Sequence, residues 1–397
     1  GRPVHNAVVW QDRRTTDRVE ELRVAGKAET IREKTGLEVD AYFSATKAEW
    51  LLDNAEPLKM RSARAADLRE RADAGELLMG TIDTWLVYNL TGTHVTDVTN
   101  ASRTMLYNIH DVEWDDELLA EFGVPRAMLP EVRPSSDESL YGHTDPEGFL
   151  GAAVPVAGAL GDQQAAFYLM NTGTDAVESE HGLLTTIGFQ LSGEPVQYAL
   201  EGSIFSTGAA IEWLEDVDLI NNAAQTAELA KSVDSTDGVY LVPAFTGVGA
   251  PHWDGRARGT IVGMTRGTRK EHIVRATLES IAYRTRDVAE AMEADSGITT
   301  KKLRVDGGAV KNDFLCQLQS DIVGVDIARP EVDETTALGS AYAAGLAVGY
   351  WDTTDELRDN WQIDRAFTPD RDAATVDKQY DRWADAVERS LGWAREE

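Results

Sequence analysis

Segments patterned as strands alternate with segments patterned as helices through both halves of this chain, and this alternation constrains the fold more than any other feature. Apolar runs at residues 153–158 and 183–188 predict buried strands, whereas three-to-four spacing over residues 271–292 predicts a long amphipathic helix. Alternating strands and helices are typical of α/β proteins. The sequence therefore predicts an α/β fold, and 397 residues are enough for two domains.

The other predicted elements are helices over residues 15–75, short strands and turns over 78–109, a short helix between Pro125 and Pro130, strands over 238–243 and 303–306, and a helix over 335–345. The pattern changes near residues 162–170. We place the boundary there, between domains at residues 1–166 and 167–397.

The formal net charge of −30 excludes several classes of partner. Nucleic acid and anionic membranes would be repelled by so negative a surface. The acidic residues are spread along the whole chain, which favours a solvated surface adapted to high intracellular salt, where screening removes self-repulsion. An acidic protein that binds basic partners is the alternative.

Targeting and redox features point to the cytoplasm. No apolar run reaches the roughly 18 residues of a membrane span, and the first residues have no apolar signal core. The single cysteine, Cys316, lies in an apolar helical pattern and is expected to be buried. Because the chain has no initial Met and soon enters an apolar run, we expect it to be N-terminally truncated.

Several residues are candidates for a functional site. Asp162 follows an apolar run, where a carboxylate either caps a helix or acts as a general base, and Gln163 could bind neighbouring hydroxyls. Trp10 and Tyr42 are aromatics in polar company, either core residues or the wall of a ligand pocket. The Gly307-Gly308 turn before a helix suits either a tight turn or a bound phosphate. No metal-binding His or Cys spacing is present.

Longer strings resemble the FGGY family of carbohydrate kinases, and within it the glycerol kinases. They lie at residues 6–15, 42–47, 80–86, 99–106, 245–254, 275–282 and 305–308. The Asn-Ala-Ser-Arg-Thr-Met string at residues 100–105 favours glycerol over pentose or hexose substrates. The resemblance covers nearly the whole chain.

The resemblance implies two actin-like (ribonuclease H-like) domains around a cleft, with the first domain incomplete. It implies transfer of a phosphoryl group from ATP, with Mg²⁺, to glycerol, giving sn-glycerol 3-phosphate and ADP. Family members often form homo-oligomers. Carried onto this chain, Asp162 resembles the catalytic base, and Trp10, Tyr42 and Gln163 resemble glycerol contacts. The residues that resemble nucleotide contacts are Gly208, Glu212, Gly308 and Asn312, where Glu212 replaces a Gln common in bacterial members.

Two stretches of the family pattern have no counterpart. One is the opening segment, with its Asp-x-Gly-Thr-Thr phosphate hairpin. The other is a helix and strand with a Gly-Thr-Gly phosphate loop, because Asp162 to Tyr168 runs directly into residues 169–173. Either Phe167 or Tyr168 could replace the pocket Phe of that stretch. We therefore expect impaired phosphoryl transfer.

Two alternatives remain open at this point. The chain could phosphorylate another substrate of the family, a pentulose or an erythritol-like polyol. It could instead be a non-catalytic remnant that binds polyol or a protein partner.

Overall fold

The computed structural model describes residues 1–55, 65–166, 169–332 and 334–394. The chain divides into two compact units. We call Gly1–Glu178, Leu184–Glu201 and Thr336–Asp359 the first unit, and Ser179–Leu183, Gly202–Thr335 and Asn360–Glu397 the second unit. The division into sequence domains at residues 166/167 stays a prediction.

Helices dominate both units. In chain order they are α1 (Thr16–Val24), α2 (Ala28–Thr35), α3 (Ser44–Asn54), α4 (Ala65–Asp73), α5 (Ile82–Thr91), α6 (Val98–Ser102), α7 (Asp116–Glu121), α8 (Asp162–Ala166), α9 (Gly208–Asp216), α10 (Gln225–Lys231), α11 (Lys270–Ser296), α12 (Asp313–Val323), α13 (Thr335–Ala347), α14 (Thr354–Asp359) and α15 (Ala373–Glu388). Two 3₁₀ turns lie at Arg126–Met128 and Gly308–Lys311.

The strands are short and form small sheets. In chain order they are β1 (Val95–Asp97), β2 (Tyr107–Asn108), β3 (Glu113–Trp114), β4 (Glu131–Arg133), β5 (Gly142–His143), β6 (Pro155–Val156), β7 (Met170–Gly173), β8 (Leu184–Phe189), β9 (Gln197–Glu201), β10 (Tyr240–Val242), β11 (Thr260–Val262), β12 (Lys302–Arg304), β13 (Asp326–Pro330) and β14 (Ile363–Phe367). The two largest sheets are antiparallel β7-β9-β8 in the first unit and mixed β12-β13-β14 in the second. β1 pairs in parallel with β4.

The strands and turns predicted over residues 78–109 are wrong at residues 82–91 and 98–102, which are helical, and β1 and β2 lie in the rest of that range. Residues 82–91 form helix α5, which ends where Gly92 adopts a left-handed φ of 76°. The Thr- and Asn-rich residues after β1 form helix α6, because the Asp97 carboxylate accepts hydrogen bonds from the backbone N–H groups of Thr99 and Asn100. A side-chain cap thus overrides the strand propensity of this stretch.

The buried strand predicted over residues 153–158 is also largely wrong. The structure has a two-residue strand, β6, which pairs with β5 alone, and Ala153, Val154 and Pro155 are exposed. Proline has no N–H to donate to a ladder and therefore favours strand edges and ends. The apolar run reflects a sheet edge, so Asp162 does not follow a buried strand.

Helix α11 organises the core of the second unit. Leu278 and Ile281 on α11 pack with Leu318 of α12 and Trp383 of α15 in one apolar cluster. The Trp383 ring stacks on Tyr283 with the centroids 5.4 Å apart. This confirms the long helix predicted over residues 271–292.

Several other predictions are confirmed. The helices before residue 55, strands β8, β10 and β12, and α13 lie where the patterns placed them. Cys316 is fully buried. Helix α13 packs very closely in the first unit, because a Cβ on Gly339 would meet the Ala165 carbonyl oxygen at 2.0 Å. Within the described ranges, no helix has both the length and the apolarity needed to cross a bilayer.

Candidate active site

Tyr42 lies in a tightly held loop before α3. The Asp40 carboxylate accepts a hydrogen bond from the Tyr42 backbone N–H over 2.8 Å. The buried Lys47 ammonium, in the second turn of α3, donates to the carbonyl oxygens of Tyr42 (3.1 Å) and Phe43 (3.3 Å). Burial lowers the pKa of Lys47 to about 8, although the Asp40 charge opposes the shift. The backbone of this loop is thus held by Asp40 through an N–H group and by Lys47 through two carbonyl groups.

Trp10 and Tyr42 form an aromatic corner in the first unit. Their rings meet edge to face, with centroids 5.5 Å apart and planes at 73°. Trp10 is 43% exposed and Tyr42 is half-buried, so Trp10 is not a core residue. Burial raises the pKa of Tyr42, which therefore stays protonated. Such a corner can cover the carbon skeleton of a small polar molecule while the phenol binds a hydroxyl.

Asp162 and Gln163 open the short helix α8. Asp162 is exposed, and one of its carboxylate oxygens accepts a hydrogen bond from the Gln163 backbone N–H over 2.9 Å. The residue before them, Gly161, donates its own N–H to the Thr99 hydroxyl over 2.8 Å. Asp162 can therefore present a carboxylate oxygen from an anchored helix start.

Arg103, directly after α6, connects these residues. Its guanidinium lies 3.5 Å from the Gln163 amide oxygen and lies over the Tyr42 ring at 5.5 Å from the centroid. Two of its N–H groups bind the Glu201 carboxylate over 2.8 and 3.1 Å. Burial alone would lower the pKa of Arg103, but Glu201 offsets this and holds the pKa above its usual value.

The structure thus brings together the candidate residues of the first unit. Trp10 contacts Tyr42, while Tyr42 and Gln163 share contacts with Arg103. Asp162 directly precedes Gln163 at the start of α8, and its negative charge helps to raise the pKa values of Tyr42 and Arg103. A carboxylate, an amide, a phenol and an aromatic wall are the groups with which a polyol can be bound and one of its hydroxyls deprotonated.

Gly208 and Glu212 lie on α9 of the second unit. Gly208 is the first residue of the helix, is exposed, and has no atom within 4 Å of the position that a Cβ would take. Glu212, one turn later, is also exposed. An exposed helix start without a side chain allows close approach of a ligand.

Gly308 begins the 3₁₀ turn that precedes α12, and Asn312 directly follows that turn. Gly307 adopts a φ of 88°, and Gly308 has open space on its Cα. The Asn312 amide oxygen caps α12 by accepting from the N–H groups of Phe314 and Leu315, and its NH₂ group donates to the Thr226 hydroxyl over 3.0 Å. This loop and the Gly208 helix start are separate segments of the second unit.

Phe167 and Tyr168, the candidates for the pocket Phe, lie outside the described residues. Among the residues that the structure describes, no group of three or more His, Cys, Asp or Glu side chains could hold a metal ion.

Comparisons with known proteins now bear on this arrangement. The model of the N-terminal domain of the FGGY family of carbohydrate kinases matches residues 1–168, and that of the C-terminal domain matches residues 165–348. The chain belongs to the FGGY family of carbohydrate kinases. The resemblance stated from the sequence strings is confirmed.

Among relatives of this FGGY kinase, proteins named glycerol kinase from Haloquadratum walsbyi and Haloarcula marismortui are each 77% identical over 100% of this chain and 82% of their own length. A glycerol kinase from Petrotoga mobilis is 56% identical and is covered over 81% of its length. The alignment with the Haloquadratum protein spans 417 residues, against 397 in this chain. About twenty residues of that relative therefore have no counterpart within the aligned range.

Solved structures support the FGGY fold independently. Plasmodium falciparum glycerol kinase with ADP superimposes with a TM-score of 0.86 at 35% identity, covering 98% of this chain and 80% of that one. A xylulose kinase from Lactobacillus acidophilus gives a TM-score of 0.80 at 21% identity, covering 96% and 79%, which shows the fold alone. The predicted two-domain, actin-like α/β fold is confirmed.

Arg103 and Glu201 were not predicted from the sequence as site residues. With Trp10, Tyr42, Asp162 and Gln163 they form what we call the first-unit cluster. Arg103 belongs to a string quoted for the resemblance, but nothing in the string showed that its side chain joins Tyr42 to Gln163. Glu201 is 98 residues away in the chain. A lone Glu such as this one, at the end of β9, carries no local sequence signal, because its partner is set by tertiary packing.

Proposed function

We propose that this chain transfers the γ-phosphoryl group of ATP to a terminal hydroxyl of glycerol, forming sn-glycerol 3-phosphate and ADP. The observation that carries this is the first-unit cluster, in which Tyr42 and Gln163 both contact Arg103 and Asp162 directly precedes Gln163 at the start of α8. Relatives named glycerol kinase at 77% identity, and an ADP-bound glycerol kinase at 35% identity, support the choice of substrates.

Each residue of the first unit has a role in this proposal. Asp162 is the general base that accepts the proton of the attacking hydroxyl. Gln163 and Tyr42 hydrogen-bond the other hydroxyls, and Trp10 covers the carbon chain. Bound in this way, glycerol presents one hydroxyl oxygen for in-line attack on the γ-phosphorus. The positioning of the two substrates accounts for most of the rate enhancement.

The second unit would bind the nucleotide. Gly208 and Gly308 allow the backbone to approach the ligand, Asn312 contacts it from the start of α12, and Glu212 contacts the adenosine. Mg²⁺ is proposed as the accompanying ion, and it neutralises charge on the transferred phosphate when bound. The described residues offer single carboxylates such as Asp162, and no cluster of three or more side chains that could ligate a metal. This fits an ion whose ligands are mainly water molecules and the nucleotide phosphates.

We further propose that turnover by these 397 residues is low. The chain has no Gly-Thr-Gly sequence, and the alignment leaves about twenty residues of the Haloquadratum relative unmatched. Loss of one donor that stabilises the transition state commonly costs about 2.7–4 kcal/mol. The polyol site is thus better preserved than the phosphate site.

The proposed setting is the cytoplasm of a salt-adapted cell, with the chain assembled as a homo-oligomer. A net charge of −30 and relatives from Haloquadratum and Haloarcula support the salt adaptation. The lone buried cysteine fits a reducing compartment. Light scattering after size exclusion in concentrated KCl measures the assembly.

The function is tested by calorimetry and by a coupled ATP assay. We expect the chain to bind glycerol but to turn over slowly, and we expect faster turnover when the helix, strand and Gly-Thr-Gly loop that the family resemblance implies are inserted before Leu169. In that restored chain, D162N should lower kcat by about 10²-fold or more, because the base is lost while the shape is kept. Lack of glycerol binding by both chains, or full activity of D162N, would contradict the proposal.

A further inference from the structure

Arg103 and Glu201 form a buried ion pair whose place in the fold calls for an explanation. Their side chains are only 14% and 3% exposed, and the contact uses two N–H groups of the guanidinium. Removing two charges from water is costly, so such a pair is weak evidence for a stabilising role. Its geometry suggests that it serves the neighbouring polyol site.

The guanidinium serves three neighbours at once. Glu201 binds one side, the Gln163 amide oxygen lies 3.5 Å from Nη2, and the Tyr42 ring lies under the group with its centroid 5.5 Å away. The Phe43 ring, 5.2 Å from the guanidinium carbon, packs against it as well. A planar group with five donors can satisfy these contacts together, which a lysine cannot.

Donor and acceptor roles follow from the chemistry of these groups. Arginine has only donors, so the Gln163 amide oxygen must accept from it, and the Tyr42 hydroxyl cannot donate to it. The Gln163 NH₂ group and the Tyr42 hydroxyl hydrogen are thereby directed away from Arg103. Asp162, by contrast, can only accept when ionised.

We propose that Arg103, held by Glu201, is a positioning residue that makes Tyr42 and Gln163 hydrogen-bond donors and so selects a neutral polyol. One hydroxyl of the ligand donates a hydrogen bond to the Asp162 carboxylate. The oxygen atoms of the other hydroxyls accept hydrogen bonds from Tyr42 and Gln163. Glu201 neutralises Arg103, so the site does not attract a carboxylate. This inference rests on the proposed polyol site, and it explains why that site would prefer a neutral polyol to a carboxylate.

The test measures glycerol and D-glycerate binding by calorimetry for the wild type, R103Q, R103K and E201Q. We expect R103Q to lose glycerol affinity by about tenfold or more, the size of a lost hydrogen bond to a charged group, and R103K to recover only part of it. E201Q should gain affinity for D-glycerate, because Arg103 is then unneutralised. A merely structural pair would not change the preference between the two ligands.

Arg275 provides the matched control. It forms a buried pair with Glu279 at 2.9 Å, with both side chains less than 10% exposed, but it lies on α11 in the second unit. R275Q should lower the melting temperature much as R103Q does and leave glycerol affinity unchanged. If R103Q does not fold, the uncharged double variant R103Q/E201Q replaces it, and we expect the same loss of glycerol affinity.

The outcomes separate the two proposals. Wild-type binding of glycerol together with unchanged ligand preference in R103Q and E201Q overturns the role of Arg103 alone. Absence of glycerol binding by the wild type overturns the polyol site and the role of Arg103 with it. An equal loss of glycerol affinity in R275Q would show a general stability effect and also overturn it.

Discussion

The backbone N–H of Gly161 donates a hydrogen bond to the hydroxyl of Thr99 over 2.8 Å, joining two residues that are 62 positions apart. The same hydroxyl donates to the buried Asp97 carboxylate at 2.8 Å. Gly161 directly precedes Asp162, the proposed base. A buried carboxylate therefore anchors the start of α8 through a single threonine.

Replacing Thr99 tests this anchor. Thr99→Val keeps the shape but leaves the Gly161 N–H unsatisfied, which should lower the free energy of unfolding by about 1–3 kcal/mol and reduce kcat of the restored chain more than it changes KM for glycerol. Urea titration and the coupled assay measure the two effects. Thr99→Ser, which retains the hydroxyl, is the control, and equal losses in both variants would argue against the hydrogen bond.

The pH dependence of stability should report the ionisation of Asp97. Burial raises its pKa to about 6, and the charge of Asp83 adds to the shift. Between about pH 4 and pH 6 the folded chain then holds a proton that the unfolded chain has released. The free energy of unfolding should fall by up to about 3 kcal/mol as the pH rises through this window.

Asp97→Asn removes this titration and provides the comparison. Urea unfolding of both proteins is measured at a fixed, high KCl concentration. The free energy of unfolding should fall between about pH 4 and pH 6 for the wild type and should fall less for the variant. Parallel curves for the two proteins from pH 4 to pH 6 would mean that Asp97 ionises normally.

Local patterns predicted several helices, among them α11, but they missed α5 and α6 and did not predict the site's connections. The three-to-four spacing of α11 survives because its tertiary partners bury the same face that the pattern marks. The strand-and-turn prediction failed at α6, where one side chain, Asp97, caps a helix in a stretch rich in Thr and Asn. The resemblance supplied Trp10, Tyr42, Asp162 and Gln163, yet the Arg103 link requires packing between distant segments, which no local pattern encodes.

Asn312 should have two separable roles. Asn312→Ala removes the cap of α12 and the bond to Thr226, which should lower the free energy of unfolding by about 1 kcal/mol, and it should also weaken ADP binding. Calorimetry with ADP and urea titration measure the two changes. Asp372→Ala, which removes the cap of α15, is the matched control and should lower stability without changing ADP affinity. Equal ADP affinity in Asn312→Ala would leave that residue with a capping role only.

Salt should stabilise the chain strongly. With a net charge of −30, mutual repulsion among carboxylates acts against the compact state, and the screening length falls from about 10 Å at 0.1 M salt to about 3 Å at 1 M. We expect the melting temperature to rise steeply over this range and similarly for KCl and NaCl. A melting temperature that is unchanged or falls would contradict an electrostatic origin.

Two exposed carboxylates at the end of α9 allow the effect to be tested by mutation. Glu215 and Asp216 lie in the last turn of that helix, where negative charge also opposes the helix dipole. The double variant E215Q/D216N should therefore melt higher than the wild type at low salt, with the difference shrinking as KCl is added. If the difference persisted at 1 M KCl, packing or helix propensity instead of charge would explain it, because screening removes interactions between exposed charges at that concentration.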